Sequence, residues 1–109
     1  LIIDAQTELL NAGHDGVHIL ARLNDLIARA REAGAPVIYI QHDGGKEEAL
    51  WNWIGSEGWT LHLALLPPSA DEPVIHKPAC DAFWRTSLHR HLASLGADHL
   101  VIAGLQTQF

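Results

Sequence analysis

The sequence has one cysteine, seven basic residues and no methionine among its 109 residues. A single cysteine cannot form an internal disulfide bond, so a reducing, cytoplasmic location is the default expectation. Thirteen acidic residues against the seven basic ones give a formal net charge of −6. This balance argues against nucleic acid or an anionic membrane surface as the main partner.

The sequence also lacks a membrane-spanning segment and a nucleotide-binding motif. No apolar run approaches the length of a membrane span, and no glycine-rich phosphate-binding loop supports nucleotide binding. The hydrophobic share of 48% is typical of a globular domain with a buried core. The lack of methionine and a start at Leu1 within an apolar run indicate part of a longer protein, so we predict a single domain over 1–109 that is incomplete at its C-terminal end.

Short apolar runs predict the strands of a buried parallel sheet. They cover residues 1–3, 36–41, 73–75 and 100–103. Helical spacing of leucines and isoleucines predicts one helix from an N-cap at Asp15 to Gly34, and another from Arg85 to Gly96. Right-handed crossovers between parallel strands place helices on both faces of a sheet. The sequence therefore predicts an α/β fold, a three-layer α/β/α sandwich with a Rossmann-like sheet.

Polar residues follow three of these predicted strands. Asp4 follows the first, Lys77 follows the third and the 104–107 turn follows the last. If the three strands are parallel and adjacent, these groups meet at the carboxyl edge, where ligands bind in open α/β sheets. A carboxylate facing an ammonium group is expected to have a lowered pKa. The residues alone leave Asp4 open as a cap or turn residue, and Lys77 as a solvated lysine at a strand end.

Three motifs occur in order: Ile3-Asp4-Ala5-Gln6, then Lys77 through Asp81-Ala82-Phe83 to Thr86, and Gly104-Leu105-Gln106-Thr107-Gln108-Phe109. They resemble the motifs of the isochorismatase-like cysteine hydrolases, the nicotinamidase/isochorismatase superfamily. The resemblance covers essentially the whole chain. It implies a cysteine-dependent hydrolase of a small amide or related C–N bond, acting through a covalent acyl-enzyme. The nucleophilic cysteine of the family comes directly after the third motif, so we expect it after Phe109.

The resemblance also implies roles for individual residues. Asp4 is the predicted acid/base, and Lys77 is the predicted orienting and stabilising residue. We predict that a further set forms the substrate-binding and oxyanion region: Gln6, His42, Trp59, Phe83, Leu105 and Gln106. The expected partner is a small-molecule substrate, with no cofactor, no metal, no nucleic acid and no membrane, and we expect a homo-oligomer.

Several residues leave alternatives open. His42 and Asp43 could line a pocket, form a turn or bind a metal, although two ligands are too few for a metal site. The tryptophans at 51, 53 and 59 could form a lid, a subunit contact or a small satellite core. Cys80, as the one thiol present, could be a nucleophile with a pKa lowered by Lys77, but no histidine base is placed beside it.

Two rival functions follow from the same sequence. If the complete protein lacks the expected cysteine, the domain would be a non-catalytic member that binds a small molecule or serves assembly. A weaker rival is a metal-dependent hydrolase that uses His42 and Asp43. The identity of the residue after Phe109 distinguishes the non-catalytic member from the cysteine hydrolase. Metal analysis of the purified protein distinguishes the metal-dependent hydrolase from it.

Overall fold

A computed structural model describes residues 1–45 and 53–106. Seven elements follow in order: β1 (Ile2–Ile3), α1 (Thr7–Ala12), α2 (Gly16–Glu32), β2 (Tyr39–His42), β3 (Val74–Lys77), α3 (Leu88–Ser94) and β4 (Ala103–Gly104). Trp51 and the last three residues of the third motif, 107–109, lie outside the described residues. Within the two described ranges, no helix is long and apolar enough to cross a membrane.

The four strands form one parallel sheet in the order β3-β2-β1-β4. Ile3 lies beside Ile40 on one side and Gly104 on the other, and His42 of β2 lies beside Lys77 of β3. The predicted parallel sheet is confirmed. The assumption that the strands ending at Asp4 and Lys77 are adjacent is wrong, because β2 lies between β1 and β3.

Alternating side chains of the sheet pack against different helices. On one face, Ile2 and Tyr39 belong to a core that includes Leu23 and Ile27 of α2. On the other face, the side chains of Ile38, Ile40 and Ile75 pack with Leu88 of α3. Burial of one such aliphatic side chain contributes roughly 1.5–3 kcal/mol. Helices therefore cover both faces, which confirms the three-layer sandwich.

The ends of α2 match their predicted positions. Asp15 is the N-cap residue, although its backbone is left-handed with φ 63° and its side chain makes no capping hydrogen bond. Instead, its carboxylate contacts the imidazole of His18. Gly34 adopts φ 70° directly after the helix, and Ala35 donates back to the carbonyl of Ala30 at 2.9 Å. This left-handed glycine ends the helix as predicted.

Several elements differ from the sequence prediction, among them β2, predicted over 36–41 and observed over Tyr39–His42, and β3, predicted over 73–75 and observed over Val74–Lys77. The short helix α1 was not predicted, and α3 begins at Leu88 rather than at residue 85, because the Thr86 hydroxyl first bonds the Ala82 carbonyl and then accepts the N–H of Leu88. The last strand comprises two residues rather than 100–103. In the described part of the sheet β4 pairs with β1 alone, which leaves Val101 and Ile102 exposed at 69% and 64%.

β4 approaches β1 very closely at Gly104. This glycine has φ 145°, and a Cβ atom added to it would lie 1.9 Å from the carbonyl oxygen of Ile3. The N–H of the next residue, Leu105, donates to that same oxygen at 3.1 Å. Glycine at 104 therefore permits the contact that brings the turn after β4 beside the end of β1.

Candidate active site

A buried ion pair lies at the carboxyl edge of the sheet. Lys77 is the last residue of β3 and Asp4 directly follows β1, and the Lys77 Nζ lies 3.0 Å from the Asp4 Oδ2. The side chains of Lys77 and Asp4 are 3% and 13% exposed. The expected proximity of these two residues is confirmed even though β2 separates their strands. Their catalytic roles stay predictions.

Asp4 has two unusual features. Its backbone is left-handed, with φ 55°, a conformation that is uncommon for a residue other than glycine but tolerated by aspartate. Its N–H donates to the carbonyl of Ile40 at 2.9 Å, which ties the turn to β2. Its Oδ1 is buried and is the one such side-chain atom in the described ranges without a hydrogen-bond partner. Such an atom costs about 1–3 kcal/mol and is a ready acceptor for an incoming proton or donor.

Burial controls the protonation behaviour of this pair. Desolvation raises the pKa of Asp4, and the hydrogen bond and positive charge of Lys77 only partly oppose it. The sequence-based expectation of a lowered pKa is therefore wrong in sign. The pKa of the neighbouring His42 is lowered, first by burial and then by the charge of Lys77, so its imidazole is neutral at pH 7.

Lys77 makes a second contact, from its Nζ to the carbonyl oxygen of Cys80 at 3.4 Å. Cys80 is a free, exposed cysteine. Cys80 contacts Lys77 through its backbone carbonyl and not through its thiol. The closeness of the two residues in sequence is therefore no argument for a catalytic thiol at Cys80.

Gln6 holds the backbone around the pair in place. It is completely buried, and its Nε2 donates to the carbonyls of His42 and Trp59 at 3.0 and 2.7 Å. Its Oε1 accepts the N–H of His42 at 2.9 Å. Gln41 adds a second donor to the Trp59 carbonyl at 2.8 Å. The observed partners of Gln6 are thus backbone groups, and its direct contact with substrate stays a prediction.

A second polar cluster occupies the same edge. The Trp59 Nε1–H donates to the Asp43 Oδ1 at 2.8 Å, and the His76 Nδ1 lies 2.9 Å from the same oxygen. The Trp59 and His76 rings stack with centroids 5.9 Å apart. The sequence left Asp43 open and gave His76 no role, although its position immediately before Lys77 in a strand was an available signal. Within the described ranges, no three histidine, cysteine or acidic side chains are grouped to hold a metal ion.

The remaining predicted residues lie around this edge without a tested role. Phe83 is 48% exposed, and its N–H donates to the Asp81 carboxylate at 2.8 Å. Leu105 packs against the core beside α2, and Gln106 is exposed, with a cis peptide bond between them. Their contacts with substrate and oxyanion stay predictions.

A large cavity lies elsewhere in the described part of the protein. A space of about 870 Å³ opens at the opposite, amino-terminal edge of the sheet, between the ends of α2 and α3. Its lining is mostly aliphatic, and two of its charged residues, Arg29 and Asp98, have side chains that are 74% and 88% exposed. The cavity thus indicates a candidate site at the amino-terminal edge of the sheet, whereas the buried ion pair indicates one at the carboxyl edge. The buried ion pair is the stronger indicator, because burying charges costs free energy that a structural role alone seldom requires.

Comparison with known proteins agrees with this geometry. An isochorismatase domain profile matches residues 1–109. A streptothricin hydrolase from Streptomyces noursei is 33% identical over 99% of this chain, which spans 39% of that relative's length. An isochorismatase structure from Pseudomonas putida is 28% identical with a TM-score of 0.83, over 98% of this chain and 55% of the other.

A fourth comparison concerns the fold alone. The N-carbamoylsarcosine amidase from Thermoplasma acidophilum superposes with a TM-score of 0.87 over 96% of this chain and 65% of its own, at 23% identity. The family profile matches the full length of the chain, and the parallel sheet agrees with that match. The chain belongs to the isochorismatase family.

Proposed function

We propose that the complete protein is a cysteine-dependent hydrolase of small amides or related C–N bonds. The observation that carries the proposal is the buried Asp4 Oδ1, which has no partner in the described ranges while Oδ2 is held by Lys77. A carboxylate with one anchored and one open oxygen is suited to accept a proton from a nearby donor. The raised pKa of Asp4 strengthens it as a base.

The nucleophile in this proposal is a cysteine that follows the 104–109 motif in the complete protein. Its thiol proton passes to the Asp4 Oδ1, and the resulting thiolate attacks the carbonyl carbon of the substrate. The C–N bond then breaks, and the proton on Asp4 passes to the leaving nitrogen. Water attacks the thioester, which releases the acid and regenerates the thiol.

Two further groups have defined tasks in these steps. The Lys77 ammonium, 3.0 Å from the Asp4 Oδ2, keeps the carboxylate oriented and stabilises the thiolate by its charge. Backbone N–H groups near Gln106 and the cysteine stabilise the oxyanion of the tetrahedral intermediate. Loss of one such donor raises the barrier by about 3–4 kcal/mol.

Relatives support the chemistry at the level of reaction class. One curated relative, 33% identical to this chain, is named a streptothricin hydrolase. This chain spans 39% of the length of that relative, so the activity of the whole protein stays a proposal.

Mass spectrometry of the complete protein tests the proposal. Incubation with a panel of small amides should release ammonia or amine and leave an acyl adduct on the proposed cysteine. Asp4→Asn should lower kcat/KM by a factor of about 10²–10⁴, the usual contribution of a general acid/base. Asp98→Asn, an exposed aspartate at the opposite edge, is the matched control and should be silent. A non-nucleophilic residue after 109 would leave a binding protein in its place, whereas full activity of Asp4→Asn would remove Asp4 from the mechanism.

A further inference from the structure

The imidazole of His42 lies on the same face of the sheet as the ion pair. His42 is the last residue of β2, and its register partner in β3 is Lys77. Two residues earlier, the partners Ile40 and Ile75 pack on the α3 face, so alternation places His42 and Lys77 on that face as well. The Lys77 side chain reaches from β3 to Asp4 after β1, with β2 between them. It therefore crosses the end of β2 on the face that carries the His42 ring.

The backbone of His42 is fixed while its ring is unengaged. Gln6 accepts the His42 N–H at 2.9 Å and donates to its carbonyl at 3.0 Å. The imidazole makes no hydrogen bond to any residue in 1–45 or 53–106. Burial and the charge of Lys77 lower its pKa, so the ring is neutral at pH 7. A neutral imidazole has one ring nitrogen that accepts a proton, and here that nitrogen has no structural task.

His42 and Asp4 differ in their access to water. The Asp4 Oδ1 is buried and its Oδ2 is held by Lys77, whereas His42 is partly exposed. Asp4 can therefore take a proton from a thiol delivered beside it, but solvent does not reach its open oxygen. Hydrolysis of an acyl-enzyme needs a water molecule that loses a proton as it attacks. Beside the ion pair, His42 is the proton acceptor that such a water molecule can contact.

We propose that His42 is a catalytic residue that accepts the proton of the water molecule that hydrolyses the acyl-enzyme, while Asp4 serves the formation of that acyl-enzyme. Water loses one proton to a ring nitrogen of His42, and its oxygen bonds to the thioester carbon. The C–S bond then breaks, and the proton on His42 passes to the sulfur, which restores the thiol and the neutral imidazole. The proposal rests on the proposed amide hydrolysis and deepens it by naming the base of the second half-reaction.

The two half-reactions can be measured separately with p-nitrophenyl acetate and the complete protein. The burst of p-nitrophenol reports acylation, the steady rate reports hydrolysis of the acetyl-enzyme, and tryptic mass mapping identifies the acetylated residue. His42→Asn should keep the burst rate within about threefold and lower the steady rate by about 10² or more, so the acetyl-enzyme accumulates. Asp4→Asn should slow the burst instead. His42→Gln, which refills more of the ring volume, replaces His42→Asn if urea unfolding shows that variant to be unfolded.

His76 provides a matched control. It directly precedes Lys77 in β3, so its side chain lies on the opposite face, where its Nδ1 is 2.9 Å from the Asp43 Oδ1. His76→Asn keeps an N–H for that carboxylate and should leave the burst and the steady rate within about threefold. An equal loss of the steady rate in His76→Asn and His42→Asn would overturn the assignment.

Hydroxylamine separates a missing base from a damaged site. It attacks thioesters without a base, so it should release the acetyl group from His42→Asn within about threefold of the wild-type rate. The pH profile adds a second readout, and the charged groups that act on the ring are Lys77, Asp4 and Asp43. The wild-type steady rate should fall as the pH drops through the His42 pKa, which lies below its ordinary 6.5. That limb should be missing from the residual rate of His42→Asn.

The outcomes distinguish this assignment from the proposed function. If the wild-type protein forms no acetyl-cysteine after the third motif, the proposed function fails and the role of His42 fails with it. If that cysteine is acetylated but His42→Asn leaves the steady rate unchanged, or slows both phases equally, only the role of His42 fails. Failure of hydroxylamine to release the acetyl group from His42→Asn would likewise show a structural effect and overturn the assignment.

Discussion

Two largely buried carboxylates in the described residues each face a cation, and they behave in opposite ways. Glu72 receives two hydrogen bonds from the Arg31 guanidinium, at 2.9 and 2.7 Å, and a third from the N–H of Ser69 at 3.0 Å. These donors lower its pKa to about 2. Asp4 receives one contact from Lys77 at 3.0 Å, and burial raises its pKa.

The balance between desolvation and hydrogen-bond donors decides the sign of each pKa shift. A planar guanidinium satisfies both oxygens of Glu72, so the ionised form is stabilised and the pair serves to hold the chain together. A single ammonium leaves one oxygen of Asp4 without a partner, so desolvation dominates and the carboxylate remains basic. Proximity of opposite charges therefore does not by itself separate a structural pair from a reactive one, whereas the count of satisfied oxygens does.

Removing each cation is the strongest test of this contrast. Lys77→Met should lower kcat/KM by about 10³ in the complete protein, because the carboxylate loses its orientation and the thiolate loses a positive charge. It should also reduce the free energy of unfolding by about 3 kcal/mol. Arg31→Met should reduce stability by about 2 kcal/mol and leave kcat/KM within about threefold. Amide hydrolysis and urea unfolding measure both, and an equal loss of activity in the two variants would break the contrast.

The next largest expected effect is on stability, from the glutamine side chains that hold the backbone around Asp4. Gln6→Ala removes three hydrogen bonds to buried backbone groups and should reduce the free energy of unfolding by about 3 kcal/mol. Gln41→Ala removes one such bond and should cost about 1 kcal/mol. Urea denaturation of both variants checks the ratio. A small effect for Gln6 would mean that the edge is held by other contacts.

The two carboxylates predict opposite slopes of stability against pH. The folded-state pKa of Glu72 lies near 2, below the ordinary value of 4.5, so its stabilisation is complete above pH 4.5 and is lost as the pH falls toward 2. The pKa of Asp4 is raised above 3.8, so its contribution is complete below pH 3.8 and is lost as the pH rises through the folded-state value. Unfolding free energies between pH 2 and 7 should lose the first slope, about 3 kcal/mol, in Glu72→Gln and the second in Asp4→Asn. Slopes of the same sign would contradict the donor-count explanation.

The smallest expected effect concerns Cys80. Its carbonyl contacts Lys77 while its thiol is part of an exposed residue, so Cys80→Ser should change kcat/KM and stability by less than about twofold and 0.5 kcal/mol. Activity assays with the folded variant measure this. Loss of activity with unchanged folding would identify Cys80 as the nucleophile and remove the need for one after residue 109.

Much of the carboxyl edge was predictable from local pattern. Short apolar runs that end in Asp4 or Lys77 indicate buried strands whose polar ends meet, and the predicted proximity of the two holds at 3.0 Å. The insertion of β2 between their strands was not predictable, because strand order depends on crossovers rather than on local periodicity. The sign of the Asp4 shift also required the folded structure, since desolvation and donor count are properties of packing.

The cluster of Asp43, Trp59 and His76 could not be predicted from the sequence, for a different reason. Asp43 and Trp59 are 16 positions apart and His76 is 33 positions from Asp43, so no local period relates them. The segment that contains Trp59 folds back through hydrogen bonds such as that of Thr7 N–H to the Thr60 carbonyl at 2.8 Å. Contacts of this kind depend on tertiary packing, which a single sequence does not specify.

The close approach of β4 to β1 has a consequence for anyone who diversifies this scaffold by random mutagenesis. At position 104 a methyl group would have to fit where the Ile3 carbonyl oxygen is only 1.9 Å away, so even alanine would push the two strands apart. Every variant at this codon should therefore be depleted from a library selected for activity. The same contact makes the spacing between the Asp4 turn and the third motif a fixed dimension, one that substrate-directed evolution must leave unchanged.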